Sequence, residues 1–183
     1  MLWNEDPIST LMDEHRLFLR WLAEVRRDTH HFEAGAVRLM PATILTFGEI
    51  LSRDVDELHG RKEEEGLFPA LVRHLEGEEG PVRVMLEDHE VLRRHRNDFS
   101  VHLKKIQNDP EAPEARTGAS GVIGSVDALL RSHIEREDGV LFPLARDLLS
   151  PAELLEVAEV FREVEIRLGP ISLLRGSSGP GPH

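Results

Sequence analysis

His59 and Glu63 stand four residues apart, and so do His133 and Glu137. Each pair opens the same string, His-x3-Glu-x3-Leu-Phe-Pro, ending at Pro69 in the first copy and Pro143 in the second, with an offset of 74 positions. The same offset links His15, in Leu11-Met-Asp-Glu-His15, to His89, in Met85-Leu-Glu-Asp-His89. The triple His15, His59, Glu63 therefore recurs as His89, His133, Glu137. A unit of 74 residues is longer than ordinary solenoid repeats and fits a duplicated helical hairpin. On a helix, residues i and i+4 lie on one face, so each His-Glu pair can reach one point in an interior. His15 and His89 add one imidazole each. A single histidine on an apolar stripe is usually a core residue, but four in register with two glutamates point to metal. Mixed imidazole and carboxylate donors suit iron, manganese or zinc and are too nitrogen-rich for calcium or magnesium. Six ligands exceed the needs of one tetrahedral zinc. If both carboxylates bridge, each of two ions receives two histidines and two oxygens and keeps positions for an outside ligand. Open positions on redox metals point to dioxygen, peroxide or nitric oxide.

The elements that must carry these residues read as helices. Leu11, His15, Phe18, Leu22 and Val25 step at helical spacing, with Ser9-Thr10 as the expected N-cap and Asp13 and Glu14 in the first turn. A second helix is expected from about Ala36, through Ile44, Leu51, Val55 and Leu58, to a break or kink at Pro69, with a short continuation to about Leu75. Pro81 opens a third, striped by Val82, Met85, His89, Leu92, Phe99, Leu103 and Ile106. The fourth runs through Val122, Val126, Leu129, His133 and Glu137 to a break at Pro143. Ser150-Pro-Ala-Glu153 is a capping box that starts a fifth helix ending near Leu168. No stretch reads as a strand. The expected fold is all-α: an up-down-up-down four-helix bundle over residues 1–168 with an additional C-terminal helix, then a flexible tail over 169–183.

Composition sets outer bounds. The 183 residues carry 40% hydrophobic and 31% charged residues, an ordinary balance for one soluble domain with a sizeable core. A formal charge of −12 argues against nucleic acid or an anionic membrane as partner. The absence of cysteine excludes disulfides, thiolate metal sites and cysteine nucleophiles. No signal peptide or membrane-length apolar run is legible, and a cytoplasmic address is the expectation. Away from the six residues, Glu14 and Asp88 are expected to face solvent or to support the neighbouring histidines. Glu64, Glu65, Glu135 and Asp138 read as a solvated acidic face, and His30, His31, His74, His95, His102 and His183 as surface residues.

The two His-x3-Glu-x3-Leu-Phe-Pro strings, each preceded by an acidic-acidic-His element, resemble the hemerythrin-like (HHE cation-binding) domain over roughly residues 9 to 146. That resemblance implies a bundle holding a non-haem di-iron centre, with His15, His59, Glu63, His89, His133 and Glu137 as ligands; manganese or zinc are the other candidate metals. Oxygen-carrying hemerythrins have a fifth histidine one turn beyond the third helix's first ligand, where this chain has Arg93. The ligand set instead resembles di-iron proteins linked to repair of iron centres under nitrosative and oxidative stress, although those proteins often carry a cysteine-bearing N-terminal segment and this chain has no cysteine. The expected role is di-iron binding with reactivity toward, or sensing of, O2, peroxide or NO, in stress response or iron handling. Reversible oxygen binding and a di-iron oxidase or peroxidase are the alternatives, so whether the chain is an enzyme stays open.

Overall fold

The structure, a computed structural model, describes residues 6–33, 41–75, 80–109 and 112–174. Helix α1 is Pro7–Glu33. Helix α2 is continuous over residues 41–72, and α3 is Pro81–Asn108. Helix α4 covers residues 113–148, α5 is Pro151–Leu168, and one 3-10 turn follows at Ser172–Leu174. No strand occurs among the described residues.

Two apolar clusters show how the bundle is threaded. One gathers Phe18, Leu22, Leu51, Val55, Phe99, Ile123 and Val126 with their neighbours. The other gathers Ile8, Leu11, Leu67, Phe68, Val82, Met85, Leu141 and Phe142. On α1 and α3 the chain passes from the second cluster to the first; on α2 and α4 it passes back. That alternation is the up-down-up-down topology expected from the helical stripes. The histidines and glutamates of the repeated triple lie between the clusters on all four helices. Helix α5 packs outside, placing Val157 and Phe161 on one cluster and Val164 on the other, so it crosses the same level.

Several element ends differ from the expectation. Helix α1 starts two residues before Ser9, because Asp6 is the cap: its carboxylate accepts the Ile8 N–H at 3.0 Å and the Ser9 hydroxyl at 2.6 Å. The start expected near Ala36 lies outside the described residues, and Pro41 is the first described residue of α2. Pro143 does not break its helix, which runs on to Leu148, and the short continuation expected past Pro69 forms but ends at Val72. Each proline follows a widened turn, Glu63–Leu67 and Glu137–Leu141, in which the Phe68 N–H bonds back to Glu63 and the Phe142 N–H to Glu137. A widened i→i+5 turn relieves the clash a proline ring makes inside a regular helix. The capping box at Ser150 forms as expected, with the Glu153 carboxylate accepting the Ser150 N–H at 2.9 Å. Of the expected tail, residues 169–174 are described and docked. Ile171 is buried, and the Ser172 N–H and hydroxyl donate to Asp54. Residues 175–183 lie outside the described residues.

Candidate metal centre

The folding pattern brings all six residues of the repeated triple into one buried layer. The His59 and His89 Nε2 atoms each lie 3.3 Å from Glu63. On the other side, the His15 and His133 Nε2 atoms lie 3.2 and 3.3 Å from Glu137 Oε2. Two donor groups result: His15, His59, Glu63 and Glu137, and Glu63, His89 and His133, the ligand atoms of each group lying within 4.8 Å of one another. Glu63 belongs to both. Both glutamates open the widened turns, a backbone irregularity frequent at functional sites.

Every one of the four rings is held from behind by a carboxylate. The Nδ1 atoms of His15 and His59 lie 2.8 Å from Asp138 and Glu14, that of His89 2.6 Å from Glu64, and that of His133 3.1 Å from Asp88. A carboxylate at Nδ1 makes that nitrogen the proton carrier and turns the Nε2 lone pair inward, the arrangement metal-binding histidines use. Phe142 and Phe68 stack on the His15 and His89 rings at centroid distances of 5.4 and 5.7 Å and screen the layer from water.

Three of the carboxylates carry a cation in turn. Lys62 donates to Glu14, Arg136 to Asp88, and Arg93 to Glu64 at 2.6 Å. These partners correct the reading of the acidic residues. Glu64 and Asp138 are not part of a solvated face but orient ligand-type histidines, and Glu14 is buried. The signal was present in the sequence: Glu14 and Asp88, Glu64 and Asp138, and Lys62 and Arg136 all share the 74-residue offset. Arg93, at the fifth-histidine position, turns outward to Asp56, Glu64 and Glu90, and Arg96 also pairs with Asp56. Of the remaining histidines, His74 lies 2.7 Å from Glu153, and His95 and His102 are half-buried. The side chains of His30, His31 and His183 lie outside the described residues.

The electrostatics call for positive charge in this layer. All four carboxylate oxygens of Glu63 and Glu137 are buried and accept no hydrogen bond. Burial opposes charge on His59, yet Glu63 and Glu14 outweigh it and push the ring up to about 10. His89 rises to about 9 in the same way, burial being overcome by Glu63 and Glu64. Glu63 is held well below the usual carboxylate range: burial works against its charge, but His59 and His89 prevail. The His15 and His59 Nε2 atoms face each other at 3.1 Å, which two lone pairs tolerate only with a proton or cation between them. Two carboxylates ringed by inward lone pairs fit a pair of cations better than protons, because protons leave the oxygens without aligned donors.

Described residues that form five helices and no strand, with a buried layer of four imidazoles and two carboxylates, place the chain in the class of helical bundles built to hold cations in their core. Within that class, the chain belongs to the hemerythrin family, the hemerythrin HHE cation-binding domain matching residues 6–145. Uncharacterized proteins of Mycobacterium tuberculosis, strains ATCC 25618 / H37Rv and CDC 1551 / Oshkosh, and of Mycobacterium bovis are 27% identical over 167 residues. The match covers 90% of this chain and 64% of each of theirs. No solved structure matches the chain significantly. Among the described residues, no helix is long and apolar enough to cross a membrane.

Proposed function

We propose that this chain binds two metal ions, iron before manganese or zinc, through His15, His59, Glu63, His89, His133 and Glu137, and that the site reacts with or senses O2, peroxide or NO. The observation that carries this reading is the set of four buried glutamate oxygens without hydrogen bonds. They are ringed by Nε2 atoms whose opposite nitrogens are all tied to carboxylates. When bound, a pair of iron ions supplies one-electron exchange at each ion and exchangeable positions for a diatomic ligand or peroxide. The chain's own part is to aim the four rings, to span both positions with Glu63, and to keep water out with Phe68 and Phe142. Anaerobic loading with iron(II), followed by dialysis and elemental analysis, is expected to give close to two ions per chain. A plateau at one ion, or a single tetrahedral zinc in the protein as purified, would overturn the reading.

The position of Arg93 supports reactivity over reversible oxygen carriage. Its guanidinium is bonded to Asp56, Glu64 and Glu90, so the third helix offers no further ligand one turn beyond His89. Each half then has two imidazoles, and neither ion position is filled by a third. Irreversible oxidation on aeration is the expected behaviour. A visible band that vanishes on deoxygenation and returns over repeated cycles would establish an oxygen carrier instead.

A further inference from the structure

Lys62 is the one fully buried lysine among the described residues, and it is not needed to ligate anything. Its ammonium lies between two carboxylates. Glu14, on α1, is the group that holds His59 Nδ1; Glu165, 2.6 Å away, belongs to α5. The Phe161 ring, one turn before Glu165, lies 5.8 Å from the same ammonium. Phe161 can sit there because residue 66 is glycine: a Cβ at Gly66 would come within 3.0 Å of the ring. The second half of the repeat has the corresponding cation, Arg136 on Asp88, but its side chain is 39% exposed. Val140, which corresponds to Gly66, is 56% exposed there. The matched cations thus work in different surroundings, one sealed by α5 and the other open to water.

Resting on the two-ion reading above, we propose that α5 is a working part of the centre, and that Lys62 and Glu165 are positioning residues for His59. Through the chain Glu165–Lys62–Glu14–His59, the outer helix fixes the carboxylate that sets the proton and the aim of the His59 ring. A buried ammonium is unfavourable unless it is fully partnered. Removing Glu165 leaves Lys62 with one carboxylate and frees it to draw Glu14 away from His59. The effect falls on one ion only, because His59 belongs to the group of His15, Glu63 and Glu137 and not to that of His89 and His133. The bundle therefore holds its two ions unequally, and the binding state of the first is linked to the docking of α5.

The test uses the full chain and zinc(II) as the probe ion, titrated against a competing chelator. Glu165→Gln is expected to weaken one of the two binding steps by roughly 10–100-fold, the range found for groups that orient a metal-binding histidine, and to leave the other unchanged. Lys62→Met is expected to affect the same step. Arg136→Met, on the opposite half, is expected to affect the other step. Phe161→Leu loosens the docking of α5 beside Lys62 and is expected to lower the melting temperature and to weaken the same step as Glu165→Gln while leaving the other unchanged; a change of both steps alike would count against the link to α5. Proton NMR of the His59 ring N–H provides a second readout that needs no metal: its exchange with solvent is expected to quicken in Glu165→Gln. If wild type takes up two ions and Glu165→Gln leaves both steps and the ring proton as they were, the positioning role is wrong. If wild type takes up none while the ring proton still responds, the two-ion reading fails and the link from α5 to His59 stands. Should Lys62→Met not fold, Glu165→Gln alone decides.

Discussion

At Glu63 the two donor groups meet, and that carboxylate is the one residue counted in both. Glu63→Ala is therefore expected to bring iron below one ion per chain after dialysis. His133→Ala, which leaves His15, His59, Glu63 and Glu137 intact, should retain close to one. Elemental analysis of the two variants side by side checks the difference. The same scale explains what was readable beforehand. The six histidines and glutamates of the triple were legible because their types and spacing repeat. Of their supporting carboxylates, Glu64 and Asp138 were not, and Glu14 and Asp88 were legible only as solvent-facing or supporting, without the histidine each holds. Glu14 precedes His15 and Asp88 precedes His89, yet each holds a histidine of a different helix, His59 and His133. Adjacent residues sit about 100° apart around a helix, so each turns toward the neighbouring helix instead of its own histidine's target. Periodicity within one helix does not reveal that relationship. The repeat offset does, once the carboxylates are matched as well as the ligands.

Among the elements, the two widened turns differ in what their glycines face. Gly66 lies under Phe161, with a Cβ position only 3.0 Å from the ring, whereas at Gly139 nothing lies within 4 Å. Gly66→Val is expected to lift α5 and destabilise the chain by about 1–3 kcal/mol, the usual cost of overpacking. Gly139→Ala meets open space and is expected to be neutral or to stabilise by up to about 1 kcal/mol, since alanine favours helix over glycine. Urea unfolding monitored by circular dichroism measures both. The helices themselves were legible from their stripes, and so was the capping box at Ser150. The ends were less so. Ser9 and Thr10 have the chemistry of a cap, but Asp6 reaches the Ile8 N–H first and adds a pairing with Arg146 at 2.7 Å. Pro143 reads as a break and Pro69 as a break or kink with a short continuation, because a proline inside a regular helix disrupts it; the wider turn before each lets the helix continue.

On the scale of the whole molecule, stability is tied to charge in the central layer. Burial opposes ionisation of Glu14, Glu64 and Asp88, but the histidines and cations beside them overcome it and lower all three. For carboxylates held low in the folded chain, the stabilisation is present above their unfolded values and lost as pH falls through the folded ones. Metal-free protein is therefore expected to weaken progressively below about pH 4.5, the ordinary glutamate range. Denaturant midpoints between pH 7 and pH 3 check the sign. Metal removal near neutral pH is expected to lower the melting temperature, because the Glu63 and Glu137 oxygens lose their only full partners. An apo form melting with the loaded form would contradict this.

The charged layer also divides the dry interior in two, with Phe18, Phe47 and Phe99 on one side and Phe68, Phe142 and Phe161 on the other. Each helix of the bundle therefore threads two separate oily compartments through a polar waist. Without ions, the waist is the weakest level, and the compartments can open independently. Native-state hydrogen exchange on the metal-free chain is expected to resolve two blocks of backbone amides with different opening free energies, divided on every bundle helix at the level of its histidine. Ions bridging the waist should merge the blocks into a single cooperative unit, so that metal binding would be read as a gain in unfolding cooperativity as well as in stability.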